Sequence, residues 1–258
     1  MSTWTSMAVA EQALLRRAMQ KHQLAGMVQY YGAALRWAGD SEAPPPRSYT
    51  QGEARELVPR LAEAALGLVE RGLLDVRQAS GLWSAPSDPV LSRRELQAVL
   101  TDPDQWMPTT PSTDRIWLSV PEAVDARFRA DAFPAPQSGG FPPVEERTAV
   151  EEELLVCTCE VSGWLTGPYG VLRSPEAEWS LEERIGWVEP QVAPLVQWVD
   201  KGWIEVCYFP DPKKGYMVIP AGELLATLAD PAVWHEDEDW GAGVTCCFTD
   251  AGLGAWRA

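Results

Sequence analysis

The stretch VQWVDKGWIEV (196–206) repeats the pattern of an earlier stretch, LGLVERGLLDV (66–76). In both, an acidic–basic pair is followed by a glycine, and apolar residues then lead to a valine. A glycine just past a helix end can adopt the left-handed conformation without a Cβ clash. The pattern therefore predicts a helix that ends at the glycine and leads directly into a strand. The identical positions are Val69/Val199, Gly72/Gly202 and Val76/Val206.

The repeat extends well beyond this joint. The segment ELQAVLTDPDQW (95–106) matches ELLATLADPAVW (223–234) at 7 of 12 positions. Several such matches in one fixed order indicate internal duplication. A Pro- and Gly-rich segment lies between the copies, so we predict a domain over 1–130, a linker over 131–143 and a domain over 144–258. The other matching blocks are 11–19 with 151–159, 48–58 with 178–188, and 116–123 with 246–252.

Each copy shows the same coarse plan, which predicts a mostly helical α+β protein. Apolar residues at helical spacing predict a first helix over about 8–37, whose counterpart begins near Val144. A second helix runs to the repeated glycine, and a strand follows it. Capping boxes, in which two side chains satisfy the first N–H groups of a helix, mark several helix starts. These capping boxes are Thr50/Glu53, Ser92/Glu95 and Ser180/Glu183.

A further helix is predicted between the two strands of each copy. It corresponds to SRRELQAVLTDP in the first copy and to PAGELLATLADP in the second. Asp-Pro ends each of these helices, because proline disfavours a helical conformation in the residue before it. A tryptophan follows, Trp106 or Trp234. We expect it to anchor the inserted helix to the core of its own domain, since large aromatic side chains are usually buried.

The end of each copy resembles the winged helix-turn-helix superfamily, in which a returning strand commonly continues into Leu-Thr-x-x-Gly. This resemblance implies two duplicated winged-helix-like domains with helix-containing wing insertions. It also implies DNA binding as the default activity, through the helix that precedes the repeated glycine. The matching residues are Phe248, Thr249, Asp250, Ala251 and Gly252 in the second copy, and a reduced Leu118-Ser119 in the first.

The charges of the second candidate recognition helix disfavour DNA binding. Contacts between cationic side chains and phosphates supply much of the affinity in such complexes. Only Arg184 and Lys201 offer positive charge in this helix, and Pro190 and Pro194 are expected to interrupt it. The acids around these two cations are Glu182, Glu183, Glu189 and Asp200.

The first candidate recognition helix is also unsuited to phosphate contacts. Arg55, Arg60 and Arg71 alternate with glutamates, a pattern typical of paired surface charge. The sequence therefore argues against direct DNA binding by either copy.

The net charge of −16 is concentrated in the second half of the chain. Residues 1–130 contain 14 Lys/Arg and 15 Asp/Glu, a net of −1, whereas residues 131–258 contain 7 and 22, a net of −15. Such a surface repels nucleic acids and anionic lipids and attracts basic proteins. A purely solubilising role accounts for the charge equally well.

The sequence contains no recognisable catalytic or metal-binding motif. The histidines are His22, expected to be solvated, and His235, which opens the acidic loop HEDEDW. The C-x-C and C-C spacings of Cys157/Cys159 and Cys246/Cys247 do not suit zinc, whose ligand pairs are usually separated by two to four residues. We therefore expect free cysteines, with Cys207 and one of the Cys246/Cys247 pair as core neighbours, and neither metal nor cofactor. An enzyme with an unrecognised carboxylate site remains a weaker alternative.

Acidic clusters around two tryptophans of the second copy form the predicted partner-binding surface, since aromatic anchors inside a charged rim suit a basic partner. We predict a non-enzymatic interaction module, in particular an antitoxin or immunity-type inhibitor of a basic toxin such as a nuclease. The alternative is a winged-helix transcriptional regulator or an acidic partner of a chromosome-organising complex. The predicted site comprises Glu176, Glu178, Trp179, Glu182, Glu183, Glu236, Asp237, Glu238, Asp239 and Trp240.

The cellular location follows from three features of the sequence. The five cysteines form no disulfide framework, which favours a reducing compartment. The N-terminus lacks the pattern of a signal peptide, and no apolar run reaches the ~18 residues of a membrane span. We therefore expect a cytoplasmic protein without a membrane partner. The sequence does not predict the oligomeric state.

Overall fold

The chain forms two compact units. Unit 1 comprises Met1–Pro45 and Tyr49–Phe133, and unit 2 comprises Pro46–Ser48 and Pro134–Ala258. The division at Phe133/Pro134 lies inside the segment expected to be a linker. The mostly helical α+β fold class is confirmed. The computed structural model describes residues 3–79, 88–107, 115–134, 140–160, 164–166, 180–211, 215–234 and 243–257.

Unit 1 packs its helices on a small antiparallel sheet. In this sheet Asp75 lies opposite Ser119 and Ala79 lies opposite Arg115. The helices are α1 (Val9–Met19), α2 (Met27–Trp37), α3 (Gln51–Glu70), α4 (Arg93–Thr101) and α5 (Glu122–Ala132), and the strands are β1 (Asp75–Ala79) and β2 (Arg115–Ser119).

The prediction of one helix over 8–37 is wrong, because a short extended segment separates α1 from α2. The N–H of Leu24 donates to the carbonyl of Ile116, and the N–H of Leu118 donates to the carbonyl of His22, both at 2.8 Å. These bonds add the segment to the free edge of β2. Helical spacing of apolar residues could not reveal it, since the strand partner lies more than 90 residues away in sequence.

Unit 2 contains a three-stranded antiparallel sheet in the order β4–β3–β5. Leu165 donates its N–H to the carbonyl of Val244 at 3.1 Å, beside an isolated bridge between Trp164 and Thr245. Trp164 and Leu165 therefore lie along the edge of β5 that β3 does not occupy, as 22–24 lie along β2 in unit 1. The helices are α6 (Ala149–Glu160), α7 (Leu181–Asp200), α8 (Ala221–Ala229) and α9 (Asp250–Arg257), and the strands are β3 (Ile204–Asp211), β4 (Gly215–Val218) and β5 (Gly243–Phe248).

The other edge of this sheet is completed by residues from far up the chain. Val218 donates its N–H to the carbonyl of Pro46, and Ser48 donates its N–H to the carbonyl of Tyr216, both at 2.7 Å. Pro46–Ser48 therefore belongs to unit 2. Phe141, expected in the linker, is likewise part of this unit, and its ring lies 5.0 Å from that of Trp198 in the core.

The prolines of α7 do not interrupt it, contrary to the prediction. Leu181–Asp200 is one continuous helix that contains both Pro190 and Pro194. Pro190 is exposed and Pro194 is only half-buried, so water can hydrate the carbonyls that lose an N–H partner. The opposite face is buried in the core and holds the helix in place. Its buried residues are Val188, Val192, Leu195 and Trp198.

The glycines of the repeated joint occupy equivalent helix ends, as predicted. Gly72 has a φ of 67° and Gly202 a φ of 68°, the left-handed conformation that glycine adopts without strain. Each donates its N–H to the carbonyl three residues back, at 2.9 and 2.8 Å. Both joints then lead into a strand, β1 or β3.

The tryptophans that follow the inserted helices are also equivalent. Trp106 and Trp234 are fully buried. Each indole Nε1–H donates to a carbonyl six residues earlier, that of Leu100 at 3.0 Å or Leu228 at 2.8 Å. The prediction that these tryptophans anchor α4 and α8 to their own cores is confirmed.

Candidate interaction surface

The helix α7 begins with a capping box that employs one of the predicted site residues. Ser180 donates its N–H to Oε2 of Glu183 at 2.7 Å, and its hydroxyl oxygen accepts the N–H of Glu183 at 3.3 Å. The bond from the backbone of Ser180, followed by the bond from its hydroxyl, lowers the pKa of Glu183 below its ordinary value. This carboxylate therefore stabilises the start of the helix.

Of the other predicted site residues, Glu182 lies exposed on the first turn of α7. The two tryptophan-centred clusters lie outside the described residues. These are Glu176, Glu178 and Trp179 in one, and Glu236, Asp237, Glu238, Asp239 and Trp240 in the other.

The exposed side of α7 forms a groove with α8 that sequence reasoning missed. We call it the α7–α8 groove; its volume is about 690 Å³. Ile185 on α7 and Leu225 on α8 line it, with 47% and 63% of their surfaces exposed. Large aliphatic side chains with this exposure, gathered at one concavity, are typical of a contact surface. The lining residues are Ile185, Glu189, Val192, Ala193, Val196, Gln197, Asp200, Leu225 and Ala229.

The corresponding surface of unit 1 is polar and ion-paired. In the repeat, Arg55 takes the position of Ile185 and Gln97 takes that of Leu225. The guanidinium of Arg55 lies 2.6 Å from a carboxylate oxygen of Asp104. The same scaffold is therefore apolar in one copy and charged in the other. This difference was visible in the aligned repeats and could have identified the groove.

The acids beside the α7–α8 groove have no cationic partner among the described residues. Within the residues that the structure describes, Glu182, Glu189 and Asp200 make no ion pair. In unit 1 the counterpart of Asp200 is Glu70, whose carboxylate lies 3.1 Å from the guanidinium of Arg93. At the end of α7 the ammonium of Lys201 lies 4.3 Å from the ring centre of Trp203, which keeps that cation at the helix end.

The two arginines of α3 and Arg71, which follows its end, are engaged in ion pairs, but their partners are carboxylates outside the helix and not the alternating glutamates of the sequence pattern. Each of the three contacts a carboxylate of unit 1, so its positive charge is partly neutralised. Most of these pairs are solvent-exposed and contribute little to stability. The pairs are Arg55–Asp104, Arg60–Glu42 and Arg71–Glu11.

His22 is half-buried, contrary to the prediction that it is solvated. His22 lies in the extended segment that pairs with β2. Burial, aided by the nearby charge of Arg17, lowers the pKa of the imidazole. Nδ1 of the imidazole lies 2.9 Å from the carbonyl oxygen of Gln23.

The three cysteines of the second sheet, Cys207, Cys246 and Cys247, form no disulfide. Cys207 and Cys246 are buried, but they lie on opposite faces of the sheet, since Cys246 is opposite Val206 and Cys207 is opposite Thr245. The cysteine beside Cys207 is Cys247, which is exposed, so the predicted pair of core neighbours is not found. A hydrogen bond with Cys247, and then burial, raises the pKa of Cys207; burial raises that of Cys246. Both buried thiols are therefore protonated and poorly nucleophilic. In the described part of the chain no three His, Cys, Asp or Glu side chains gather as a metal site would require.

Comparison with known proteins identifies no relative. No protein-family model, curated protein or solved structure matches the chain. Among the described helices none has the length and apolar character needed to cross a membrane.

Proposed function

We propose that this chain is a non-enzymatic protein-interaction module whose second unit binds a basic protein. The observation that carries the proposal is the charge of α7. Glu182, Glu189 and Asp200 lie on its solvent side without an ion pair in the described structure. They are part of the net charge of −15 over residues 131–258. Unpaired surface charge of one sign speeds the approach of an oppositely charged protein.

We further infer that the two units are tandem winged-helix-like domains. In unit 1 the order is helix, edge segment, helix, helix, strand, inserted helix, strand and helix. The described elements of unit 2 follow a similar order, with α7, Gly202 and β3 in the places of α3, Gly72 and β1. The strand β4 is additional, and the place of α2 falls outside the described residues. In this architecture α7 is the helix that would face DNA. Its acids suit a basic protein instead.

Among protein-interaction functions, we favour that of an antitoxin or immunity-type inhibitor. An acidic surface of this kind would cover the cationic substrate site of a toxin that acts on nucleic acid, and so block it. Cys207, Cys246 and Cys247 form no disulfide, which fits a reducing cytoplasm, where we place the complex.

A charge-neutralised variant tests this function. Tagged full-length chain is used to capture proteins from the native host, and each captured protein is identified and purified. We expect a basic protein whose association slows about tenfold or more as ionic strength rises from about 0.01 to 1 M, because screening shortens the reach of the charges. The triple variant Glu182→Gln, Glu189→Gln, Asp200→Asn should slow association at low salt.

A triple variant of unit 1 provides the matched control. Glu56→Gln, Glu63→Gln and Glu122→Gln remove the same charge from exposed positions of unit 1 and should leave association nearly unchanged. A partner whose association rate ignores both salt and the α7 variant would contradict the proposal.

The alternative function, a transcriptional regulator, is favoured by the order of elements alone. A specific DNA complex needs several unpaired cations at the duplex, which carries one negative charge per ~1.7 Å. The arginines of α3 are paired, and α7 is acidic. We therefore expect no measurable binding of a mixed-sequence duplex by the full chain, even at low salt. A fluorescence-anisotropy titration measures this, and tight, salt-sensitive binding would place the regulator first.

A further inference from the structure

We propose that the α7–α8 groove is the docking site for an amphipathic, basic helix of the protein partner. This inference rests on the proposed function and adds to it a location and a recognition mode. The partner helix would place an apolar face on Ile185, Val192 and Leu225. Its lysine or arginine side chains would reach the acids along α7.

The dimensions of the groove suit a helix. Its lining extends along α7 from Ile185 to Asp200, a distance of ~22 Å at 1.5 Å per residue. A partner helix of about 15 residues, or four turns, spans that length. Apolar side chains at three- and four-residue spacing form the usual contact of a helix bound in a groove.

The carboxylates of the groove favour a positively charged partner helix. Glu189 and Asp200 line the groove itself, and Glu182 lies on the first turn of the same helix. Within the described structure these carboxylates make no ion pair, so a cationic side chain could reach them without displacing another cation. A partner helix with an apolar stripe flanked by lysine or arginine would contact both the aliphatic lining of the groove and its carboxylates.

The same charges disfavour a second copy of this chain as the occupant. Residues 131–258 carry a net charge of −15, so two copies meeting through this face would repel each other. In unit 1 the positions equivalent to Ile185 and Leu225 are the polar residues Arg55 and Gln97, so that surface would not offer a second apolar site. The groove is thus a local property of unit 2.

The repeat itself supplies the test variant. Ile185→Arg with Leu225→Gln gives the groove the side chains that unit 1 carries on the same scaffold. Both positions are largely exposed, so the variant is expected to fold, which circular dichroism checks. Leu225→Gln alone, at a position 63% exposed, serves as a second and milder variant. Val144→Thr, which replaces another exposed apolar residue of unit 2, is the matched control.

The probe is a synthetic 15-residue Leu/Lys peptide with one apolar helical face, titrated calorimetrically against full-length chain. We expect binding to the wild type and to Val144→Thr, and binding at least about tenfold weaker to the double variant. Leu225→Gln should fall between them. Two further peptides should bind weakly: one with Glu in place of Lys, and one of scrambled order without an apolar face.

Several results would overturn the docking site. These are no binding to the wild type, equal affinity for the double variant, or equal affinity of the scrambled peptide. Self-association of the wild type that the double variant abolishes, seen by sedimentation, would assign the groove to a second copy instead. If the captured basic partner responds to the α7 charge variant but not to Ile185→Arg/Leu225→Gln, the proposed function stands and the groove assignment falls.

Discussion

Replacing Trp234 with alanine is expected to destabilise unit 2 by about 3–5 kcal/mol. The side chain is fully buried, and its ring meets that of Trp187 edge-on at 5.7 Å. It also donates the hydrogen bond that joins the end of α8 to the turn that follows it. Alanine would leave a large cavity and an unpaired carbonyl at Leu228. The loss is measured as a lower urea midpoint by circular dichroism, and hydrogen exchange assigns it to unit 2.

Two comparisons make this expectation specific. Trp234→Phe keeps most of the ring but removes the donor, so it should cost about 1–3 kcal/mol, mainly through the unpaired carbonyl. Trp106→Ala should destabilise unit 1 by a similar amount to the change in unit 2, because Trp106 makes the same contact there. A Trp234→Ala chain with unchanged midpoint and unchanged exchange in α8 would show that the inserted helix does not depend on this anchor.

The second large effect is expected at Gly252, the last residue of the motif that suggested the fold. A Cβ added there would lie 1.8 Å from the carbonyl oxygen of Trp203. The carbonyl of Trp203 belongs to the backbone and cannot rotate away as a flexible side chain could. The helix α9 would therefore have to move away from the start of β3. We expect Gly252→Ala to cost roughly 3 kcal/mol, at the upper end of ordinary overpacking. Urea unfolding measures this cost.

The hydrogen bonds around Gly252 explain why the motif occurs here. The hydroxyl of Thr249 donates to the carbonyl of Gly202 at 2.5 Å and accepts the N–H of Gly252 at 3.0 Å. The motif thus joins the final helix to the repeated helix–strand joint.

Gly186→Ala is the control for the glycine substitution. This helical position has open space around its Cβ and should gain about 0.5–1 kcal/mol, because alanine favours the helix. Equal stability of Gly252→Ala and wild type would contradict the close approach of α9 to Trp203.

The features that could be predicted from the sequence depend on residues close together in the chain. A capping box needs two side chains three residues apart, and Thr50, Ser92 and Ser180 all form one with the expected glutamate. The left-handed glycines and the Asp-Pro helix ends are equally local. Repetition strengthened each signal, since two copies gave the same pattern at Gly72 and Gly202.

The predictions that failed concern contacts between distant parts of the chain. The extended segment at Leu24 exists because β2 offers an unpaired edge, and local helical spacing cannot report such an edge. Both prolines are tolerated in α7 because its buried face packs on the core of unit 2. Phe141 lies in a segment whose composition is typical of a linker, yet the aromatic core of unit 2 provides a site for its ring.

The sequence by itself determined the helix ends, the strands that follow the two repeated glycines and the uneven charge. Tertiary structure alone decided which charges are paired and which apolar side chains stay exposed. Arg55 is neutralised by Asp104, 49 residues away, while Ile185 at the equivalent position opens a groove with Leu225. The physical reason is the separation along the chain between the residues that interact. Backbone conformation is selected by neighbours within a few residues, whereas ion pairing and solvent exposure depend on which elements the folded chain brings together.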